Sequence, residues 1–270
     1  HKGAVFVEEL NEVPEGSVVI FSAHGVAKSV WEEAQSRRLH VIDATCPLVT
    51  KVHNEVNRDY TQGYELILIG HAGHPEVIGT LGQIPDKFHL VSSVKDVESL
   101  HVEKTQNLSY VTQTTLSVDE CRDIVEALHR RFPNIKGPHQ EDICYATQNR
   151  QNAVKSLSKL VDVILVIGSP NSSNSNRLRE LGEHCGIPSY LIDAASDINP
   201  DWLKDAKSVG LSAGASAPEV LVTEVVAYLK RLGSSEEVEE LTVIEEDVEF
   251  LLPKELVTIE SASRVSASTN

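Results

Sequence analysis

The sequence predicts an α/β protein made of repeated units with mainly parallel sheets, and three observations carry that expectation. Two strand-like runs, YELILIG (64–70) and VDVILVIG (161–168), both close on a glycine. Each is followed by matching stretches: HLVSSVKDVESL (89–100) resembles SYLIDAASDINPDWL (189–203), and LSYVTQTTLSVDE (108–120) resembles KSVGLSAGASAPE (207–219). A piece of the same repeat opens the chain, SVVIFSAHG (17–25) and then LHVIDATCP (39–47). Two complete repeats preceded by an incomplete one are therefore expected. Strands alternating with helical patterns imply parallel pairing.

The helices follow from spacing. One starts at Pro47, with Leu48, Val52, Val56 and Tyr60 at intervals of four; proline is well tolerated in a first helical turn. Ser117 and Glu120 have capping-box spacing, and the helix after them sets Cys121, Ile124, Val125, Leu128 and Phe132 on one face. A helix following Cys144 carries Ala146, Val154 and Leu157. Another sets Leu178, Leu181 and Cys185 on one face, with Gly186 placed to end it.

Composition bounds the function. The 270 residues are 41% hydrophobic, enough for a sizeable core, and no apolar run reaches the length of a membrane span. A formal net charge of −16 argues against a nucleic-acid partner, because backbone binding needs a basic face. Four cysteines without a CxxC pair do not make a disulfide scaffold, and a reducing, cytoplasmic setting is expected. The chain opens HKGAVFVEEL and has no methionine, so a natural N-terminal segment is expected upstream.

The cysteines sort into two kinds. Cys121 and Cys185 lie on apolar helix stripes and read as small buried hydrophobes. Cys46 and Cys144 each stand immediately before a helix. A thiol at a helix N-terminus has its thiolate, the metal-binding form, favoured by the dipole. From the residues alone, metal ligation and buried packing remain equally open for this pair.

Polar groups collect at the strand ends: VVIF leads to SAHG, HVI to DATC, LILI to GHAGHPE, LSYV to TQTT, VILVI to GSPNSSNS and SVGL to SAGAS. In parallel α/β sheets ligands bind at the carboxyl ends of strands, and the next helix offers its positive end to an anion. Ser172, Ser173, Asn174 and Ser216 suit that task. Serine and asparagine also cap helices, but six such loops in one chain weaken the capping explanation. Neither GxGxxG nor GxxxxGK[ST] is present, so nucleotide binding has no motif support. GHAGHPEV (70–77) concentrates His71, His74 and Glu76 in one turn. Its histidines can donate to an anion without permanent charge, and Glu76 behind Pro75 is placed to transfer a proton.

Seven segments in order, FSAHGV (21–26), DATCPLVTKVH (43–53), GHAGHPEV (70–77), TQTTLS (112–117), DICYAT (142–147), NSSNSNRL (171–178) and SAGASAPE (212–219), carry a resemblance. The chain resembles the 4-hydroxy-3-methylbut-2-enyl diphosphate reductase family, which catalyses the last step of the non-mevalonate isoprenoid pathway. The resemblance runs from the first residues through PKEL (253–256). It implies three α/β lobes around a central site, with Cys46 and Cys144 as two of three cysteines holding a four-iron four-sulfur cluster. It implies that His24 and His74, with Ser172, Ser173, Asn174 and Ser216, hold the diphosphate. Glu76 would supply protons, and Thr114 would position Glu76 or the substrate hydroxyl. An electron donor such as flavodoxin or ferredoxin would deliver the electrons.

The resemblance also sets the expected organisation. Residues 1–46 are a remnant of the first lobe ending at Cys46, 47–143 the second lobe and 144–232 the third. Residues 233–270 form an acidic, solvated segment that returns to the first lobe and ends in a disordered SASRVSASTN. The family's first cysteine and a further diphosphate-binding histidine lie in an N-terminal segment that nothing here matches. With two cluster ligands, the 270 residues alone are not expected to be competent. Two rival classes are a redox-inert binding module for a phosphorylated metabolite and a zinc hydrolase, the latter lacking HExxH.

Overall fold

A computed structural model describes residues 3–85, 88–233, 238–253 and 255–256. The elements run β1 (Val18–Phe21), α1 (Lys28–Ser36), β2 (His40–Asp43), α2 (Pro47–Thr61), β3 (Glu65–Ile69), α3 (Pro75–Leu81), β4 (Phe88–Val91), α4 (Val94–Ser99) and β5 (Leu108–Thr112). They continue α5 (Val118–Arg131), α6 (Tyr145–Leu157), β6 (Val163–Ile167), α7 (Ser173–His184), β7 (Ser189–Ile192), β8 (Val209–Ala213) and α8 (Glu219–Arg231). The described residues divide into two compact units. The first holds the chain to Gln113, Asp123–Asp142 and, from Val248, the last described residues; the second holds Thr114–Arg122 and Ile143–Asp247.

All three sheets are parallel. The first unit contains the two-stranded sheet β1-β2 and the three-stranded sheet β4-β3-β5; the second contains β7-β6-β8. The two larger sheets have the same order, with the GHAG and GSPN strands at their centres. Equivalence reaches to single hydrogen bonds. After β4 the Ser92 amide donates to Asp96 Oδ2 at 2.8 Å, and after β7 the Asp193 amide donates to Asp197 Oδ2 at 2.9 Å. The repeat expected from the sequence is thus an α/β architecture with matching sheets.

Burial explains the strand composition. β3 and β6 are covered on both faces, and Leu66 to Ile69 and Ile164 to Ile167 are buried throughout. That is why they read as unbroken apolar runs. Val52 and Val56 of α2 pack on Leu66, Leu68 and Val111. Val225 and Leu229 of α8 pack on Val163, Leu165 and Ile167. β1 differs: Phe21 is buried, whereas Val18 and Ile20 are each 63% exposed.

Most helix expectations hold. Pro47 opens α2 behind Cys46, and the Glu120 amide donates to Ser117 Oγ ahead of α5. Gly186 follows α7 with a φ of +83°. One expectation fails. Cys121 is buried as read, but Cys185 is exposed. The apolar stripe of α7 stops with Leu181, and Cys185 is already the C-cap residue, where the chain turns off the helix axis and the side chain leaves the core face. The described part of the acidic run, 238–250, is exposed; Glu236, Glu237 and SASRVSASTN lie outside the described residues.

Candidate functional site

In the first unit, β1 and β2 run side by side and end together. Beyond them the Cys46 amide donates to the Ala23 carbonyl at 3.0 Å, which sets Cys46 beside the His24 loop. Cys46 is the N-cap residue of α2 and is half-buried. The loop turns at Gly25, whose φ is +73°, and a Cβ there would sit 2.7 Å from His53 Cε1. Only glycine fits that turn. The loop lies on α3 through backbone: a Cβ on Gly79 would come 2.8 Å from the Gly25 carbonyl oxygen. Gln83 Nε2 donates to the carbonyls of Val26 and Gly79, both at 2.9 Å.

That packing brings His24 against the start of α3. The His24 and His74 rings meet edge to face at 5.4 Å between centroids. His74 caps α3, accepting the Glu76 amide on Nδ1 at 3.2 Å. A neutral ring that accepts on Nδ1 carries its proton on Nε2, leaving that N–H as a donor. Burial, with smaller contributions from His24 and His71, pushes His74 down to about 4. Partial burial also holds His24 below the usual histidine range. Both rings are therefore neutral donors near pH 7. Glu76 is 2% exposed, and Gln113, also buried, accepts the His71 amide at 3.1 Å.

The second unit gathers the other candidates. The Cys144 amide donates to the Thr114 carbonyl at 3.0 Å. Cys144 Sγ accepts the Thr147 amide at 3.2 Å and lies 2.9 Å from Thr147 Oγ1. Ser172 is the N-cap of α7. Thr115 Oγ1 donates to Ser173 Oγ at 3.2 Å. Asn174 is 6% exposed, yet neither its Oδ1 nor its Nδ2 has a hydrogen-bond partner among the described residues. A buried amide left unpaired costs about 1–3 kcal/mol, and a ligand would relieve it. Ser216 is exposed in the loop after β8, two residues beyond Gly214.

Each unit therefore brings its own candidates together: His24, Cys46, His74 and Glu76 in the first; Thr114, Cys144, Ser172, Ser173 and Asn174 in the second. Among the described residues no three His, Cys, Asp or Glu side chains by themselves form a metal-holding group. Sequence reasoning passed over several neighbours. Gln113 sits inside a quoted motif but carries no charge or spacing signal. Asp142 and Lys51 are far apart in sequence, yet Lys51 Nζ lies 2.8 Å from Asp142 Oδ1.

The chain matches known proteins along nearly all its length. The profile of the LytB protein family matches residues 1–230. The 4-hydroxy-3-methylbut-2-enyl diphosphate reductase 2 of Bradyrhizobium diazoefficiens is 60% identical over 256 residues, 95% of this chain and 83% of that protein. This chain belongs to the LytB family of 4-hydroxy-3-methylbut-2-enyl diphosphate reductases. Another family member, from Aromatoleum aromaticum, is 60% identical over 257 residues, 95% of this chain and 82% of that protein. The solved reductase of Plasmodium falciparum aligns with a TM-score of 0.90 at 36% identity, covering 97% of this chain and 83% of that one. A second solved family reductase, described as the terminal enzyme of the non-mevalonate pathway, aligns with a TM-score of 0.55 at 34% identity. It covers 82% of this chain and 78% of that one. No helix among the described residues is long and apolar enough to cross a membrane.

The perturbed groups of the first unit give a pH prediction. His53 is held down to about 4, chiefly by burial, as is His74. A histidine lowered in the fold binds its proton more readily once unfolded. Its stabilisation is complete above about 6.5 and drains as pH falls toward 4. Asp142 has the opposite sign: burial raises it to about 6, so between about 4 and 6 the folded state holds the extra proton. Two histidines outweigh one carboxyl. Unfolding this unit near pH 5 is expected to take up about one proton net. The urea midpoint should therefore be lower at pH 5 than at pH 7; a midpoint equal or higher at pH 5 would contradict the assignment.

Proposed function

We propose that the full-length protein to which these residues belong reductively dehydroxylates 4-hydroxy-3-methylbut-2-enyl diphosphate, using the residues gathered in the two units. The observation that carries this reading is the His24–His74–Glu76 group: two neutral ring donors beside a buried carboxyl on one turn. The histidines bind diphosphate oxygens through N–H groups, and the α7 terminus offers Ser172, Ser173 and the unpaired Asn174 amide to the same class of anion. Ser216 joins them from its loop. Thr114 is assigned a positioning role, and the leaving group is the substrate hydroxyl. Glu76 gives that hydroxyl the proton with which it leaves as water.

The balance needs two electrons and two protons for each C–O bond broken; the products are isopentenyl and dimethylallyl diphosphate, with water. An iron–sulfur cluster fits the donor chemistry of Cys46 and Cys144. Both are half-buried thiols at helix N-caps, and an amide already points at the Cys144 sulfur. When bound, it would supply single electrons and Lewis acidity toward the leaving oxygen. A small soluble electron donor of the flavodoxin or ferredoxin kind and a cytoplasmic setting complete the proposal.

The test is anaerobic reconstitution of the full-length protein with iron and sulfide, followed by assay of the allylic diphosphate. Cys46→Ser and Cys144→Ser are each expected to lose most bound iron and the visible absorbance, and with them turnover. Either variant retaining wild-type iron content and activity would remove that cysteine from the ligand set.

A further inference from the structure

Ser175 lies in the first turn of α7 and is 1% exposed. Its surroundings are unusually tight. A Cβ on Gly168, which follows β6, would lie 2.1 Å from Ser175 Oγ, and a Cβ on Gly214, which follows β8, would lie 2.2 Å from it. Two glycines thus form a slot that holds this hydroxyl and nothing larger.

The occupant of the slot faces Ser172. Ser172 Oγ accepts the Ser175 amide at 3.3 Å and the Ser175 hydroxyl at 3.0 Å. A serine oxygen offers two lone pairs and one proton. With both lone pairs engaged from within the helix, what Ser172 has left to give is its own O–H. The reverse arrangement, Ser172 donating to Ser175, would strand the Ser175 proton in the glycine slot. Among the described residues Ser172 Oγ is the acceptor that proton has, and an unmet buried donor is costly. Asn174, between the two serines, has its buried amide unpaired. The same end of the helix thus presents further unused hydrogen-bonding capacity.

We propose that Ser175 is a positioning residue that fixes the Ser172 hydroxyl as a donor toward a diphosphate oxygen. This rests on the diphosphate reading of the α7 terminus given above. Ser175 itself does not touch the anion. It acts by removing the alternative in which Ser172 turns its proton inward and offers the anion a lone pair. A hydroxyl fixed as a donor is suited to phosphate and repels nothing on approach, whereas a freely rotating one must be ordered at each binding event.

The experiment measures inorganic pyrophosphate affinity by calorimetry, and KM and kcat for the allylic diphosphate, in the holoenzyme. Wild type, Ser172→Ala, Ser175→Ala and the double variant are compared. Ser172→Ala is expected to weaken pyrophosphate about tenfold, the scale of one hydrogen bond to a charged group. Ser175→Ala removes a single oxygen from the slot and is expected to weaken it about three- to tenfold, with KM rising and kcat held within about twofold. The double variant should match Ser172→Ala alone, because Ser175 acts through Ser172. Wild-type affinity in Ser175→Ala, or losses that multiply in the double variant, would overturn the proposal. Wild-type affinity in Ser172→Ala would instead overturn the diphosphate reading of the helix terminus, and the role of Ser175 with it.

Discussion

Glu76→Gln is expected to lower turnover by about 10²–10⁴-fold, the usual contribution of a positioned acid or base. The argument is geometric. Glu76 is 2% exposed, in the first turn of α3, next to the histidine that caps the helix. Its backbone amide is tied to His74 Nδ1, so the side chain and the ring are placed by the same turn. Glutamine has nearly the same shape and keeps a carbonyl oxygen, so packing and capping survive. What is lost is the transferable proton. Pyrophosphate affinity and bound iron should stay at wild-type levels while kcat collapses. Near-normal kcat with intact iron would assign the proton to another group, and loss of pyrophosphate binding would show that Glu76 helps to build the anion site.

The second large effect is on stability, from Lys51→Met. Lys51 Nζ bonds Asp142 Oδ1 at 2.8 Å and the Gln140 carbonyl at 2.5 Å, with Glu55 Oε2 at 3.8 Å. Asp142 Oδ2 accepts the Thr112 amide at the end of β5 at 2.8 Å. The Asp142 side chain has no solvent exposure, while that of Lys51 is 24% exposed. Burial already raises Asp142 to about 6, with Lys51 opposing the shift. At pH 7 the carboxylate is charged and depends on Lys51. Methionine would leave Asp142 and Glu55 as two buried carboxyls facing each other. Removing one partner of a buried pair costs about 3–5 kcal/mol, and the partial exposure of Lys51 places this case near about 3. For a unit of this size that lowers Tm by about 6–12 °C. The deficit should shrink below pH 6, where Asp142 can protonate, and Asp142→Asn should restore part of it. A Lys51→Met melt within about 1 °C of wild type at pH 7 would refute the account.

The parts of this protein that could be read from its sequence are those set by neighbours in the chain. YELILIG and VDVILVIG announced central strands because burial on both faces removes polar alternation. Cys46, Cys144 and Ser172 could be placed at helix starts because proline, aspartate and serine mark those starts locally. The Lys51–Asp142 pair could not be read: no local period links residues on α2 to the end of a long loop. Cys185 was misplaced for a related reason. The apolar spacing of Leu178 and Leu181 points to it, but the helix ends at His184, and a stripe has no meaning past the last turn. Ser175 was invisible because its role depends on two glycines, Gly168 and Gly214, that follow different strands.

The backbone contact between the Gly25 turn and Gly79 has a thermodynamic consequence. His24 rides on one side of that contact and His74 on the other, and the Gln83 amide ties the two sides together by donating to the carbonyls of Val26 and Gly79. On the proposed diphosphate reading, the two rings would meet an incoming anion as a single preformed clamp. The ordering of this part of the site is settled during folding, when the chain closes on α3, and does not have to be repeated at each encounter with substrate. In such a clamp, a substitution that loosens the glycine contact would show up first as weaker association, well before the protein melted any earlier.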